Sequence, residues 1–451
     1  MLGSAKAGQS ALKARSPMIK PKAKRVIFMF MQGGPSQMET FDYKPRLKKE
    51  HGGAVTFKRV ETVEQPGIER TKIFGSSWDF DRYGQNGIWV SDLYPHLARS
   101  IDDVCVLNGM HTDSLAHPMA SLQLHTGFTN TVNPSAGAWS LYGLGTENQN
   151  LPGFISIAPA VSGDAGSVEY FGSAFLPAIY QGTRVRCARK PDGSKAEIRN
   201  LVDKHHKADL QRAQVDLIQS MNRDLLSDLK TDQHMEGVIE SYELAFRMQT
   251  ETPDLLKWED EPQYIKDMYG IGDPSTDHFA RQCILARRFA EAGVRFIELF
   301  NGGWDHHSHI RQHLPLNCGQ TDQPMAALIA DLKARGMFDD TLIVWSGEFG
   351  RTPYEQDMTN GKQEPIYYGR GHNPYGFTTL MMGGGVKGGI VHGATDEYGY
   401  RAVEGKVHVH DLHATMLHLL GLDHENLTYR YGGRDYRLTD VYGRVVDEIL
   451  T

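Results

Sequence analysis

Cysteine is scarce and scattered. Cys105, Cys187, Cys283 and Cys318 are the only four in 451 residues, and none forms a Cys-x-x-Cys pair. That spacing argues against a disulfide framework and against a zinc ribbon. Cys105 and Cys283 lie in apolar stretches and read as buried thiols. A long apolar run is missing too: no segment reaches the roughly eighteen residues that a membrane span needs. Positive charge is in deficit, with 48 Lys and Arg against 55 Asp and Glu and a net charge of -7. No basic stripe outweighs the acids, which argues against a nucleic-acid binder. Internal repeats and low-complexity tracts are also absent.

What remains is ordinary globular composition, 40% hydrophobic and 23% charged, long enough for a large core or two to three domains. The first 24 residues are basic, with Lys6, Lys13, Arg15, Lys20, Lys22 and Lys24, no acid and no apolar h-region. They read as a flexible arm ahead of a main unit over 25–445. If a signal preceded this start, the protein is exported to the periplasm or beyond; otherwise it is cytoplasmic.

Val26-Ile27-Phe28-Met29-Phe30-Met31 reads as a buried strand ending at Gly33-Gly34-Pro35. Asp103–Asn108, Gly153–Ile157, Val294–Phe300, Thr341–Trp345 and Thr378–Met382 are further strands. Met119–Thr126 reads as a short helix, with Pro118 suited to its first turn and Gly127 to its cap. Helical spacing dominates 195–292, read as a helical insertion. Met325–Arg335 and Leu412–Leu420 follow as helices, the latter with Asp411 as N-cap. Alternating β and α elements predict a three-layer α/β/α sandwich with a mostly parallel central sheet.

Twenty histidines is a high number, and they concentrate after residue 300. Gly303-Trp304-Asp305-His306-His307-Ser308-His309 follows the strand at 294, where open α/β sheets place their sites. Asp305 and His309 form an Asp-x-x-x-His pair, with His307 able to join. Carboxylate and imidazole together suit zinc or manganese, with calcium also compatible. Ser346-Gly347-Glu348-Phe349-Gly350-Arg351 follows the next strand. Glu348 is a candidate ligand there, and Arg351 a planar fork for an anion. His372, before the strand at 378, is a third metal-capable position. Alone, each segment reads as well as a polar surface loop; jointly they propose a site. Ser114, His117 and Ser121 are candidates for a nucleophile or its partner, which a nearby divalent ion would activate. The glycine-rich 383–389 reads as a tight turn. His408, His410, His413 and His418 read as structural, with His413 and His418 on the helix surface.

The order of these segments resembles the alkaline phosphatase and sulfatase superfamily. Ala116–Gly127 is similar to the sulfatase nucleophile helix, and Val409–Gly421 to the sulfatase carboxy-terminal helix. The nearest resemblance is to the DUF1501 family of sulfatase-like proteins, carried by Gly33-Gly34-Pro35-Ser36 with Phe41–Pro45, Gly303-Trp304-Asp305 with His307, Glu348–Thr352 and Gly384–Gly389. The resemblance implies an alkaline phosphatase-like fold with metal at the carboxyl ends of its strands. It implies a metal-dependent hydrolase of sulfate or phosphate esters, acting on a small anionic ester or a sulfated glycan. Asp305, His309 and Glu348 would hold the metal, with His307 or His372 completing the shell. Ser114 or a water would attack, Arg351 would hold the anion and His117 would protonate the leaving group. Three departures stand out. Gln32-Gly33-Gly34 replaces the acid after the first strand, leaving Glu39 and Asp42 as the nearest carboxylates. Phe349 replaces a histidine, and His117 and Ser121 occupy the sulfatase nucleophile and arginine positions. No cysteine is present there for conversion to formylglycine. The alternative is a non-catalytic protein on the same scaffold that recognises sulfated or anionic glycans. A third reading is an assembly partner acting through 195–292. Substrate, metal identity and oligomeric state stay open.

Overall fold

The computed structural model describes residues 12–55, 71–159, 167–187, 196–202, 207–229, 233–356 and 364–451. Strand Arg25–Gln32 lies at the centre of the main sheet. It pairs in parallel with Phe296–Gly302 on one side and Thr341–Ser346 on the other. Phe154–Pro159 and then Thr183–Cys187 extend the sheet beyond Phe296–Gly302, both in parallel. On the other side comes Phe377–Met382, antiparallel to Thr341–Ser346, then Val104–His111, antiparallel to that again. Two reversals restore direction, so Val104–His111 runs with the central strands. The sheet is therefore mostly parallel, as the β–α alternation predicts.

The central strand is apolar throughout because both faces are covered. Ile27, Met29 and Met31 enter one core; Val26, Phe28 and Phe30 enter the other. This is the period of two expected when side chains alternate across a sheet. The first core is roofed by helices Asp277–Glu291 and Ile310–Ala334, through residues such as Phe279, Ile284, Leu328 and Leu332. The second is roofed by His117–Thr126, Ala136–Leu144 and Val409–Leu419, through Leu124, Trp139 and Leu412. The three layers follow from these two interfaces.

Several expectations change in detail. Of the predicted flexible arm, residues 1–11 lie outside the described residues. Residues 12–24 are packed down: Leu12 and Ala23 are buried, and Met18 and Lys22 donate to Gly421 O and Leu419 O, both at 2.8 Å. Leu419 O is at the end of helix Val409–Leu419 and needs a donor from outside it, and Gly421 lies just past that end. Helix Asp277–Glu291, grouped by sequence with the helical insertion, belongs to the sandwich itself. Helices Ala208–Leu229 and Gln233–Leu255 pair with each other through Arg212 and Glu243 at 2.9 Å. The helix expected at Met325 starts at Ile310. Pro315 and Pro324 interrupt its pattern, while Leu314, Cys318, Met325 and Leu328 keep an apolar stripe on the core. Thr183–Cys187 was not expected; its two arginines mask a short edge strand. The glycine-rich turn is a turn: its Gly384 and Lys387 amides donate to Phe338 O and Ile449 O, leaving neither for an anion.

Candidate metal centre

Four parallel strands end at the same sheet edge, and each delivers a loop there. Gly33 follows Arg25–Gln32 with φ of +118°, and a Cβ on it would stand 2.5 Å from the Asp305 nitrogen. The first loop thus lies directly against the Asp305 loop, which only glycine permits. Trp304 anchors that second loop from beneath: it is fully buried and donates from Nε1 to Asn301 Oδ1 at 2.9 Å. Asp305 is consequently turned outward, with 42% of its side chain exposed. Val104–His111 leads into 112–116 and helix His117–Thr126. The pair Gly350–Gln356 and Gly369–Asn373 sets Arg351 opposite His372.

These loops bring His117, Asp305, His307 and His372 together, with one donor atom from each lying within 4.8 Å of the others. His307 Nε2 is 3.0 Å from Asp305 Oδ1, and His372 Nε2 is 3.3 Å from the same oxygen. His117 Nε2 is buried and lies 3.2 Å from Oδ2. The opposite nitrogen of each ring is committed. Nδ1 of His117 meets Glu348 Oε1 at 2.5 Å, that of His307 meets Gln356 Oε1 at 2.6 Å, and that of His372 meets Leu115 O at 2.7 Å. Each partner is an acceptor, so each Nδ1 carries a proton, and each Nε2 faces the carboxylate, as a lone pair while the ring is neutral and as a donor once it is charged.

Three lone pairs and a carboxylate facing one another leave room for one cation, either a proton or a metal. Burial opposes charge on His117, but hydrogen bonds and charge from Asp305 and Glu348 prevail and push it up to about 9. Burial, with Arg351 and the other imidazoles nearby, outweighs Asp305 at His372 and pushes it down to about 4. Burial also opposes charge on Asp305, yet its hydrogen bonds to the three histidines and the Arg351 guanidinium hold it well below the usual carboxylate range. A zinc ion with bonds of about 2.1 Å holds its donors about 3.4 Å apart. The four donor atoms lie within 4.8 Å of one another, and the three nitrogens stand 3.0 to 3.3 Å from the carboxylate oxygens.

The remaining predicted residues are placed as follows. His309 stays outside the group. Its φ is +55° and it caps helix Ile310–Ala334, so Asp305 and His309 do not share a helix turn. The neighbouring spacing, Asp305 and His307, is the one that converges. Glu348 is fully buried one step behind His117, and both of its oxygens accept from Gly33 N, at 3.0 and 3.1 Å. Here lies the meaning of Gln32-Gly33-Gly34: the first loop supplies a backbone donor to an acid rather than an acid. Glu39 and Asp42 do not fold back. Glu39 is buried against Arg370, and Asp42 against Lys44 and Thr395.

Arg351 does not present a free fork. It is fully buried and donates to Gly34 O at 2.9 Å, Arg370 O at 3.0 Å and Asp305 Oδ1 at 2.6 Å, with Gly33 O and Trp304 O also in reach. Its work is to hold Asp305 and three loops together. Ser114 Oγ accepts from Ala116 N at 3.1 Å, in the loop that also offers Leu115 O to His372. Phe349 sets its ring 4.8 Å from His117 and 4.5 Å from His372, walling the group on one side. His306 is buried away from the group and pushed down to about 3, first by that burial and then by Arg351. Gln356, Gly33 N and Leu115 O carry no signal readable in sequence, since an amide or a peptide group acquires this function only from its neighbour.

If the four side chains hold a divalent metal, Glu348→Gln is expected to weaken its affinity by roughly 10–100-fold, the usual cost of losing an acceptor behind a liganding histidine. Competition with a chelating dye measures this, and unchanged affinity would remove Glu348 from the site.

The later histidines tie helices together. His408, not Asp411, is the N-cap of Val409–Leu419; Asp411 sits at the third helical position and accepts from His408 N at 2.9 Å. His413 is buried rather than on the helix surface. It meets Leu124 O at 2.8 Å, as His410 meets Gly127 O at 2.7 Å, joining this helix to the end of His117–Thr126.

Among the described residues no helix is long and apolar enough to cross a membrane. No curated protein sequence matches the chain. Similar solved structures include the PsFucS1 sulfatase from Pseudoalteromonas sp., 12% identical over 89% of this chain and 68% of that one, with a TM-score of 0.35. The lipoteichoic acid synthase LtaP from Listeria monocytogenes is 11% identical over 97% and 79%, with a TM-score of 0.35. The alkaline phosphatase from the Antarctic bacterium TAB5 is 10% identical over 82% and 95%, with a TM-score of 0.33. The model of the family described as "Protein of unknown function (DUF1501)" matches residues 23–450. That match takes in the whole sandwich and all four converging side chains, and the chain belongs to the DUF1501 family.

Proposed function

We propose that the chain is a metal-dependent hydrolase of sulfate or phosphate esters, with the metal held by His117, Asp305, His307 and His372. One observation carries this: three imidazoles, each tied at Nδ1 to an acceptor, aim Nε2 at a single carboxylate. Such an arrangement is repulsive without a cation at its centre. A nitrogen-rich set favours zinc, then manganese, over calcium, which takes six to eight oxygens. A bound ion supplies Lewis-acid polarisation of the ester. The chain's own residues do the rest. Asp305 leaves the group open to solvent, so an ester oxygen can reach it. Arg351 keeps Asp305 in place, Phe349 excludes water from one flank, and Ser114 stands in the adjoining loop. His117, expected as a proton donor, is assigned to the metal.

A second reading is a non-catalytic protein that recognises sulfated or anionic glycans through the same metal. It is favoured by one fact: no described serine, threonine or cysteine side chain is hydrogen-bonded to the four. Elemental analysis of protein purified without chelators, with aryl sulfate and aryl phosphate assays, separates the two. We expect about one divalent ion per chain, turnover of at least one ester, and loss of both in His372→Ala. Metal-free wild-type protein would end both readings. Metal without turnover, but with retention of a sulfated glycan, would leave the second.

A further inference from the structure

Helix Ala208–Leu229 is mounted with its polar side inward. Gln211 and Gln219 are buried, Gln219 Nε2 donates to Ile239 O at 2.6 Å, and Arg212 pairs with Glu243 at 2.9 Å. Ile239 and Glu243 lie on helix Gln233–Leu255, which in turn buries Leu244 and Met248 in the second core. The outward side is apolar. Leu210, Leu217, Ile218 and Met221 are exposed at 50%, 63%, 37% and 64%, and Ala213 is exposed with them. Their spacing sets them on one stripe about three turns long. A helix that packs only within its own chain turns its apolar stripe to the core. An apolar stripe set outward, over a seam held by polar bonds, is a surface built to be covered.

Charge decides what covers it. A helix that lies on a membrane carries Lys and Arg along its polar face. This one has Arg212 and Arg223 against Asp209, Asp216, Asp224 and Asp228. A second copy of the same helix fits. Asp209, Asp216 and Arg223 recur every seven residues and so line one flank of the stripe. In an antiparallel pair each flank meets its own copy. With Leu210 of one helix over Met221 of the other, Asp209 then lies beside Arg223 at both ends. The two Asp216 side chains meet near the middle, where each already has Arg212 as its partner. A parallel pair would set this flank against the opposite one, which carries Gln211, Ile218 and Leu225, and leave its charges unmatched. Two such stripes with their flanks cover on the order of 1,000 Å², the lower end for a specific interface.

We propose that helix Ala208–Leu229 is a self-docking surface, through which two copies of the chain associate by laying this helix antiparallel on itself. The pairing is isologous, with its twofold axis passing the helix at about Asp216. It goes beyond the metal-dependent reading and does not rest on it.

Sedimentation equilibrium of the full chain over about 1–300 μM tests it. We expect a monomer–dimer equilibrium with a dissociation constant of about 10–100 μM, as suits a small interface. Leu217→Glu should weaken it about tenfold or more, while circular dichroism and the melting temperature of the dilute chain stay as in wild type. Asp209→Arg should weaken it about threefold or more, and adding Arg223→Asp should recover the loss, because the exchanged charges again meet as opposites. The recovery is a readout that damage to the helix would not produce. A wild-type chain that stays monomeric, a dimer untouched by Leu217→Glu, or an exchange that recovers nothing would overturn the pairing. A monomer that cosediments with phosphatidylcholine–phosphatidylserine vesicles, and loses them in Leu217→Glu, would also overturn it and assign the stripe to a membrane surface.

Discussion

On the proposed metal reading, Asp305→Ala is expected to abolish divalent-metal binding, with affinity falling by about 1000-fold or more, beyond the roughly 10–100-fold cost of a supporting partner. Asp305 is the sole anionic side chain in the converging set, and all three imidazoles aim at it. Without it a divalent ion faces three neutral nitrogens and the nearby Arg351 guanidinium, whose charge is then uncompensated on that side. Arg351 keeps its backbone acceptors Gly33, Gly34, Trp304 and Arg370, so the loops should hold and the fold should survive. Metal stoichiometry beside circular dichroism and thermal unfolding reads both halves of this. An Asp305→Ala protein that kept a stoichiometric ion would place the centre elsewhere. Asp305→Asn, which keeps the shape and one oxygen, should lie between wild type and alanine.

The second large effect concerns a residue behind the site. Arg370→Met is expected to cost about 3–5 kcal/mol of stability, because it leaves a carboxylate buried without its partner. Arg370 and Glu39 are both buried, and Arg370 Nε donates to Glu39 Oε1 at 3.0 Å. The same guanidinium donates to Thr352 O at 3.0 Å and Phe74 O at 2.6 Å, and lies 4.8 Å above the Phe74 ring. It therefore joins the short helix Gln37–Thr40, the strand carrying Arg351 and the strand carrying His372. Urea denaturation of the single variant and of Arg370→Met with Glu39→Leu checks the cause. Removing the stranded charge should recover much of the loss in the double variant. If the double variant is no better than the single, lost packing and not the unpaired carboxylate is responsible.

The site was partly legible in sequence. Asp305 and His307 were readable because they carry metal-capable groups just beyond an apolar strand run, and His372 because it lies just before one. His117 was read as a proton donor and Glu348 as a ligand, and their placement reverses the order: His117 faces the centre and Glu348 stands behind it. Residue type allows either role. What separates them is burial, since Glu348 is fully enclosed between Gly33 N and the His117 ring, whereas His117 turns its second nitrogen toward Asp305. Arg351 read as an anion fork for the same reason that it became a brace. A planar group with five donors suits a ligand or a set of backbone carbonyls equally, and here the carbonyls arrive first.

By itself the sequence determined the sandwich, its buried first strand and the strand ends where a site would lie. Those depend on local periodicity and on apolar runs that must be covered on both faces, and both are written residue by residue. Only the tertiary structure decided which nitrogen of each histidine is available, and that His307 converges where His309 does not. A ring's direction is set by the acceptor behind it. Glu348 lies 231 residues from His117, and Leu115 lies 257 from His372. No local pattern encodes a contact across that distance; the folded sheet edge brings the partners together.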